Sequence, residues 1–350
     1  RFPTPKWHEK DGGRYIGTGH MVITRDPDTG EVNLGTYRVM LHDAKTVGIH
    51  ISPGKHGQLH IQNYHARGQP CPIVLSLGQH PLMFLLSTMT VPEGDEYAYI
   101  GAIRGKPVEV IEEEITGLPV PADSEILLAG WCPPGKRRAE GPFGEFTGYY
   151  AGGVLQAPII EVERVYFRNN PIMLGSPPGK PPNDTEYPHG IISNVMFENE
   201  LKRNGISDVK GVCTHEIIGA MFVAISIKQR YAGQARQAGL LAASLPVRGI
   251  MAGRYIIVVD DDIDVTNLKE VLWALCTRSD PAKSIEILHN LRSTPLDPMI
   301  RKPASLYVQS KAIIDACRPF DWRNEFPEAI TISPEMTKTV RQKWSSILDL

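Results

Sequence analysis

The chain lacks any apolar run long enough to cross a bilayer: the longest, around residues 72–86 and 217–227, are broken by polar residues, so a soluble protein without a membrane span is expected. It also lacks an excess of either charge. Lys and Arg number 37 against 39 Asp and Glu, a formal charge of −2, and the longest basic run is Lys136-Arg137-Arg138, which argues against nucleic acid as a partner. Cysteine is sparse. The five residues Cys71, Cys132, Cys213, Cys276 and Cys317 show no CxxC spacing, which excludes an ordinary zinc site and fits reduced, structural thiols in a cytoplasmic protein. No GxGxxG stands between a strand and a helix, so the nucleotide-binding dehydrogenases are excluded. Gly175 to Lys180 is not a phosphate loop either, because neither Ser nor Thr follows the lysine. With no Met at its start and no charged-then-apolar leader, the sequence is expected to be a fragment without a signal peptide.

What is present is enough chain for two cores, 350 residues and 38.8 kDa. Residues 10–170 read as mostly β: a hairpin around Asp26-Pro27-Asp28-Thr29-Gly30, then strands near 47–51, 73–78, 108–114, 124–128 and 159–168, with a short helix from His80. A barrel is the economical architecture, because closure removes exposed edges. Asn33 and Arg38 fall on opposite faces of a regular strand unless Gly35 makes a bulge. His50, His56, His60 and His65 are dense, but such histidines are more often hydrogen-bonded surface groups than ligands. The acidic group Glu93, Asp95 and Glu96 reads first as a helix-start charge cluster and second as a metal site.

Four prolines within residues 175–182 make a stiff connector. Beyond it helices and strands alternate, which predicts an α/β unit with a mainly parallel sheet. Asp260-Asp261-Asp262 at the end of a buried strand is expected to cap the next helix, with a metal cluster as the second reading. A last helix from Pro334 carries Met336, Val340, Trp344 and Leu348 at helical spacing, the pattern of a packing or subunit contact. The expected division is therefore 1–174 for the β domain, 175–183 for the linker, 184–330 for the α/β domain and 331–350 for the C-terminal helix.

The chemistry is expected in Glu140-Gly141-Pro142-Phe143-Gly144-Glu145-Phe146-Thr147-Gly148. Pro142 and the glycines place Glu140 and Glu145 by a turn rather than by helical spacing. Phe143 and Phe146 lower the polarity around a neighbouring carboxyl, which favours proton delivery near neutrality. A solvated hairpin with idle glutamates is the bland alternative from this stretch alone.

Taken in order, several segments resemble the UbiD-type decarboxylases that use prenylated FMN. They are Asp26 to Gly30 leading to Asn33-Leu-Gly-Thr-Tyr-Arg38, Lys55-His56, Glu96 to Gly105, Val120-Pro121-Ala122 and Glu140 to Glu145. In the second half they are Ile227 to Gly233, Val259 to Asp262 and Trp273 to Ala282. The resemblance runs from about Asp11 to Lys311. It implies a split β-barrel flavin-binding domain followed by an α/β domain. It further implies Asn33, His56 and Glu96 as ligands of Mn²⁺ or Mg²⁺, with K⁺ as a further ion. Thr36, Tyr37, Arg38, Lys55, His56 and Lys311 would line the prenylated flavin together with Asn33, and Arg38, Glu140 and Glu145 would be catalytic. Arg38 would orient the substrate carboxylate and Glu145 would donate the proton. The implied activity is reversible, non-oxidative decarboxylation of an aromatic, heteroaromatic or α,β-unsaturated acid. The implied partners are that acid and CO₂, a flavin prenyltransferase as cofactor supplier, and a second copy in a homodimer or larger homo-oligomer. A flavin carrier or assembly subunit without decarboxylase activity is the alternative. Relatives carry a further segment before Asp11, and many have glutamate where this chain has Ala129.

Overall fold

The computed structural model describes residues 2–89, 91, 94, 96–184, 186–215, 221–245, 253–301 and 306–348. Glu93 and Asp95 of the acidic group lie outside them.

The first half opens with β1 (Arg14–Gly17), β2 (Met21–Arg25), β3 (Val32–Gly35), β4 (Val39–Asp43) and β5 (Thr46–Ile49). The expected hairpin is β2–β3: Asp26 Oδ1 accepts from the backbone N–H groups of Asp28 and Thr29 and so closes the turn. Gly35 makes no bulge. The chain leaves β3 there, and Thr36, Tyr37 and Arg38 form the link into β4. Next come α1 (His56–Ala66), β6 (Cys71–Leu77), α2 (Pro81–Ser87) and α3 (Glu96–Arg104). The dense histidines are explained by α1, which holds His56, His60 and His65. Pro81 sits in the first turn of α2, where its missing N–H costs nothing, and His80 caps that helix. The domain closes with β7 (Val110–Glu112), β8 (Pro119–Pro121), β9 (Ile126–Cys132), β10 (Arg137–Glu140) and the long β11 (Leu155–Phe167).

Among the described residues nine of these strands form one antiparallel sheet, in the path β1-β4-β5-β11-β9-β6-β2-β3 with β10 paired to β11. The ends of the path do not pair, so the sheet is a curled half-barrel rather than a closed one. Its interior is apolar, with Val22, Val39, Ile49, Ile73, Leu75, Leu77 and Ile126 all wholly buried. Cys71 and Cys132 face each other across β6 and β9 as free thiols, and burial pushes the Cys132 thiol up to about 12. They are inert packing groups.

Residues 171–183 run without regular structure into α4 (Glu186–Arg203). Then follow β12 (Val209–Thr214), β13 (Phe222–Ile227), α5 (Gln234–Ser244), β14 (Tyr255–Asp260), α6 (Leu268–Arg278), α7 (Pro281–Ser284), β15 (Ile285–Arg292) and β16 (Val308–Ala316). The sheet order is β12-β13-β14-β16-β15; β13, β14 and β16 run parallel, and the two edge strands run antiparallel to them. Asp260 and Asp262 do not cap α6, whose cap is Asn267. Instead both carboxylates pair with Arg278, and Asp260 also accepts from Arg318. A buried guanidinium at the end of α6 needs these acids more than the next helix does.

The chain ends in α8 (Pro334–Lys343) and α9 (Ser345–Leu348). Every residue from 327 to 347 is exposed, including Met336, Val340, Trp344 and Ile347. No helix among the described residues is long and apolar enough to cross a membrane.

Candidate active site

Arg38 lies in the short link between β3 and β4, and its side chain is 7% exposed. Its Nε donates to Glu140 Oε1 at 2.7 Å and its Nη2 to Glu140 Oε2 at 2.6 Å, a fork on a fork. Its Nη1 donates to Glu145 Oε1. Burial works against the charge, but the bonds and charges of Glu140 and Glu145 outweigh it and raise the guanidinium pKa. The turn after β10 brings both acids to one cation.

The two carboxyls differ in surroundings. Glu140 is wholly buried and also accepts from the Tyr15 hydroxyl at 3.0 Å. Glu145 faces a cavity of about 280 Å³, which Arg38, Phe84, Thr88, Phe143 and Phe146 also line. The cavity draws on both halves of the chain: Ser176 and Pro178 come from the linker, Glu186 and His189 from α4, and Leu296 from beyond β15. His189 Nε2 lies 2.8 Å from Thr88 Oγ1, and the imidazole packs at 6.0 Å from the Phe84 ring. A second cavity of about 430 Å³ shares the wall residue His50.

Asn33, His56 and Glu96 are gathered around β3. Asn33 Nδ2 and the backbone N–H of Gly57, next to His56, both donate to the Tyr37 hydroxyl, at 3.4 and 3.3 Å. Glu96 Oε1 accepts from the backbone N–H of Leu34 at 3.4 Å. Asn33 and Glu96 are both buried, 4% exposed each. Among the described residues no three His, Cys, Asp or Glu side chains form a metal cluster, so a cation here depends on the Asn33 amide oxygen. An amide, an imidazole and a carboxylate suit a hard divalent ion. Thr36 lines the cavity, and its hydroxyl lies 2.6 Å from Ser87 Oγ. Lys55 is exposed at the start of α1. Lys311 stands apart: on β16, buried, its Nζ donates to Ala243 O at 2.8 Å, and it is not among the cavity-lining residues. Burial lowers its pKa to about 8.

The sequence reading missed the residues that brace the site. Asp11 Oδ1 accepts from the backbone N–H of Gly144, and Gly12 N–H donates to Pro142 O at 2.7 Å. Tyr15 reads as an ordinary strand aromatic, and His189 as an ordinary helix residue. No local pattern marks them, because their partners lie more than 100 positions away.

A half-barrel that buries one arginine between two glutamates beside a cavity is a site suited to holding a carboxylate and moving a proton. The comparisons agree. Residues 1–181 match the 3-octaprenyl-4-hydroxybenzoate carboxy-lyase Rift-related domain (UbiD), and residues 189–316 match the C-terminal domain of the same enzymes. The chain belongs to the UbiD family. It is similar to the phenolic acid decarboxylase of Bacillus subtilis (strain 168), 34% identical over 99% of this chain and 73% of that one. A pyrrole-2-carboxylic acid decarboxylase of Pseudomonas aeruginosa is 32% identical over 86% of this chain and 62% of its own length. Among solved structures, the closed form of Sedimentibacter hydroxybenzoicus vanillic acid decarboxylase superposes with a TM-score of 0.86 at 31% identity, covering 100% of this chain and 73% of that one. The UbiD-class enzyme HmfF from Pelotomaculum thermopropionicum, in complex with FMN, gives 0.84 at 30% identity, covering 96% and 73%.

Proposed function

We propose that this chain decarboxylates an aromatic, heteroaromatic or α,β-unsaturated acid without net oxidation, reversibly, and that it uses prenylated FMN. The observation that carries the reading is the buried Arg38 guanidinium, forked onto Glu140 and paired with Glu145 at a cavity that Phe84, Phe143 and Phe146 also line. The cavity offers what a planar anionic cofactor needs in kind, the apolar rings of Phe84, Phe143 and Phe146 beside the Arg38 cation. Thr36 and Arg38 line the cavity and would meet the flavin there, while Asn33, Tyr37, Lys55, His56 and Lys311 enter that set through the family resemblance. Asn33, His56 and Glu96 would hold Mn²⁺ or Mg²⁺ against its phosphate.

When bound, the flavin supplies the electron sink for the pair left as the bond to the carboxylate breaks, which no side chain can provide. The protein's own work is positioning and proton transfer. Arg38 spends three N–H donors on Glu140 and Glu145, and the remaining ones are available to orient the substrate carboxylate. Phe84, Phe143 and Phe146 keep water from the reacting carbon. Glu145, on the cavity wall, holds the proton that replaces CO₂, while Glu140 stays behind Arg38. His189 and Thr88 give the far wall polar groups suited to a ring that bears a hydroxyl or a ring nitrogen.

The test is to produce the chain together with a flavin prenyltransferase and to measure CO₂ release from hydroxybenzoates, pyrrole-2-carboxylate and cinnamate. Glu145→Gln is expected to lower turnover by about 10²–10⁴-fold while the cofactor's visible spectrum persists. Undiminished turnover in that variant would remove Glu145 from the mechanism.

The exposed C-terminal arm supports a second copy as partner. The chain exposes 18198 Å², against about 14,000 Å² for a folded monomer of this mass. That surplus exceeds the roughly 800 Å² each partner contributes to a standard interface. The stripe Met336, Val340, Trp344 and Ile347 is its apolar centre.

A further inference from the structure

We infer that Tyr15 is a positioning residue of this site: its hydroxyl fixes Glu140 as the ionised partner of Arg38 and thereby assigns the exchangeable proton to Glu145. The inference deepens the decarboxylase reading and rests on it.

The two glutamates meet one guanidinium but not on equal terms. Glu140 accepts from Arg38 Nε, from Arg38 Nη2 and from Tyr15 OH, so both its oxygens are held by donors that favour the carboxylate. It is wholly buried and is not among the cavity-lining residues. Glu145 lies on the cavity wall, where a reacting carbon can come within reach. A site with one proton to deliver needs this asymmetry, because two equivalent acids would share the proton between them.

The Tyr15 hydroxyl meets Glu140 Oε1 at 3.0 Å as its nearer acceptor, with Pro142 O longer at 3.5 Å. Tyr15 is on β1 and fully buried; its ring packs 4.3 Å from the Phe143 ring and against Met40 and Trp7. Trp7 Nε1 donates to Tyr15 O at 3.1 Å, and Tyr15 N–H donates to Pro5 O at 2.9 Å, so the backbone beneath the ring is fastened as well. Burial, and next the adjacent Glu140 charge, push the phenol's pKa well up, so it stays a donor throughout the working range. The other charged or titratable groups facing this pair are Asp11 from the N-terminal segment, His42 on β4 and Arg38 itself.

The test is Tyr15→Phe in the full chain, which keeps the ring and its packing and removes only the O–H. We expect kcat to fall about tenfold or more with KM for the acid changed less than about twofold. Losing a donor favours the protonated carboxyl, so the acid limb of the kcat profile moves to higher pH while the alkaline limb stays. Met40→Leu, which disturbs the same packing but keeps the hydroxyl, is expected to leave both limbs in place. An equal shift in that control would make Tyr15 a packing residue and overturn the inference. A readout without turnover separates this from the decarboxylase reading: infrared spectra of chain carrying ¹³C-labelled glutamate side chains. One carboxylate band should shift in Tyr15→Phe and not when the same change is made on a Glu140→Gln background. That result upholds the Tyr15–Glu140 bond even if no acid on the panel is consumed. Identical spectra with and without the hydroxyl defeat it.

Discussion

His20 is 1% exposed in the turn between β1 and β2, and burial drives its imidazole from the ordinary 6.5 down to about 4. Above pH 6.5 the ring is neutral in both the folded and the unfolded chain, so it adds no pH dependence. As pH falls from 6.5 toward 4 the unfolded chain takes up the proton first, and stability drains by on the order of 3 kcal/mol. His20→Gln is therefore expected to flatten the decline of the thermal midpoint across that window, read by calorimetry at several pH values. An unchanged slope would mean that other groups set the acid sensitivity. The ring's burial has a local consequence too, because a Cβ on Gly17 would fall 2.6 Å from His20 Cε1. Both residues thus keep this turn tight where Gly17 and Thr18 line the cavity.

The loop that carries Glu145 is held by the segment before β1 as well as by its own turn bonds, Gly148 N–H to Glu145 O and Glu145 N–H to Tyr149 O. Gly12 shows how closely the two approach: an added Cβ would sit 1.9 Å from Gly141 O. Gly12→Ala must move the loop, at a cost of about 1–3 kcal/mol in stability. A displacement of about 1 Å at reacting groups costs roughly 10² in rate, so kcat should fall far more than the melting point suggests. Steady-state assays beside a melting curve check this, and an unaltered kcat would show that the loop is positioned by other contacts. The same feature explains what was legible in the sequence. Arg38, Glu140 and Glu145 could be picked out because their motifs and order resemble a family, and α2, β6 and β11 because turn residues and alternation bound them. Asp11, Gly12 and Tyr15 could not. Their roles exist only in contacts to residues about 130 positions later, and locally they read as a hairpin start. Strands β8, β10 and β15 escaped for a simpler reason: β8 and β10 have 3 and 4 residues, and β15 follows directly on a helical turn.

At the scale of the whole molecule the C-terminal arm is the outlier, since every residue from 327 to 347 is exposed. Ending the chain at Glu328 is expected to leave both sheets intact and to lower the mass measured by light scattering to that of one copy. An unaltered mass would place the contact elsewhere. The halves are also joined away from the linker, by Thr88 to His189 and Arg292 to Pro53 O, while the linker's Ser176 N–H donates to Thr18 Oγ1. Arg38 and both glutamates come wholly from the half-barrel, whereas Glu186, His189 and Leu296 reach the cavity from the other side. Under the proposed reading, the proton-handling groups all lie in the half-barrel, while α4 contributes Glu186 and His189 to a wall it shares with Phe84 and Thr88. Substitutions on the α4 side would then retune which acid is accepted without touching Arg38, Glu140 or Glu145, so that one reaction could be turned to many ring systems.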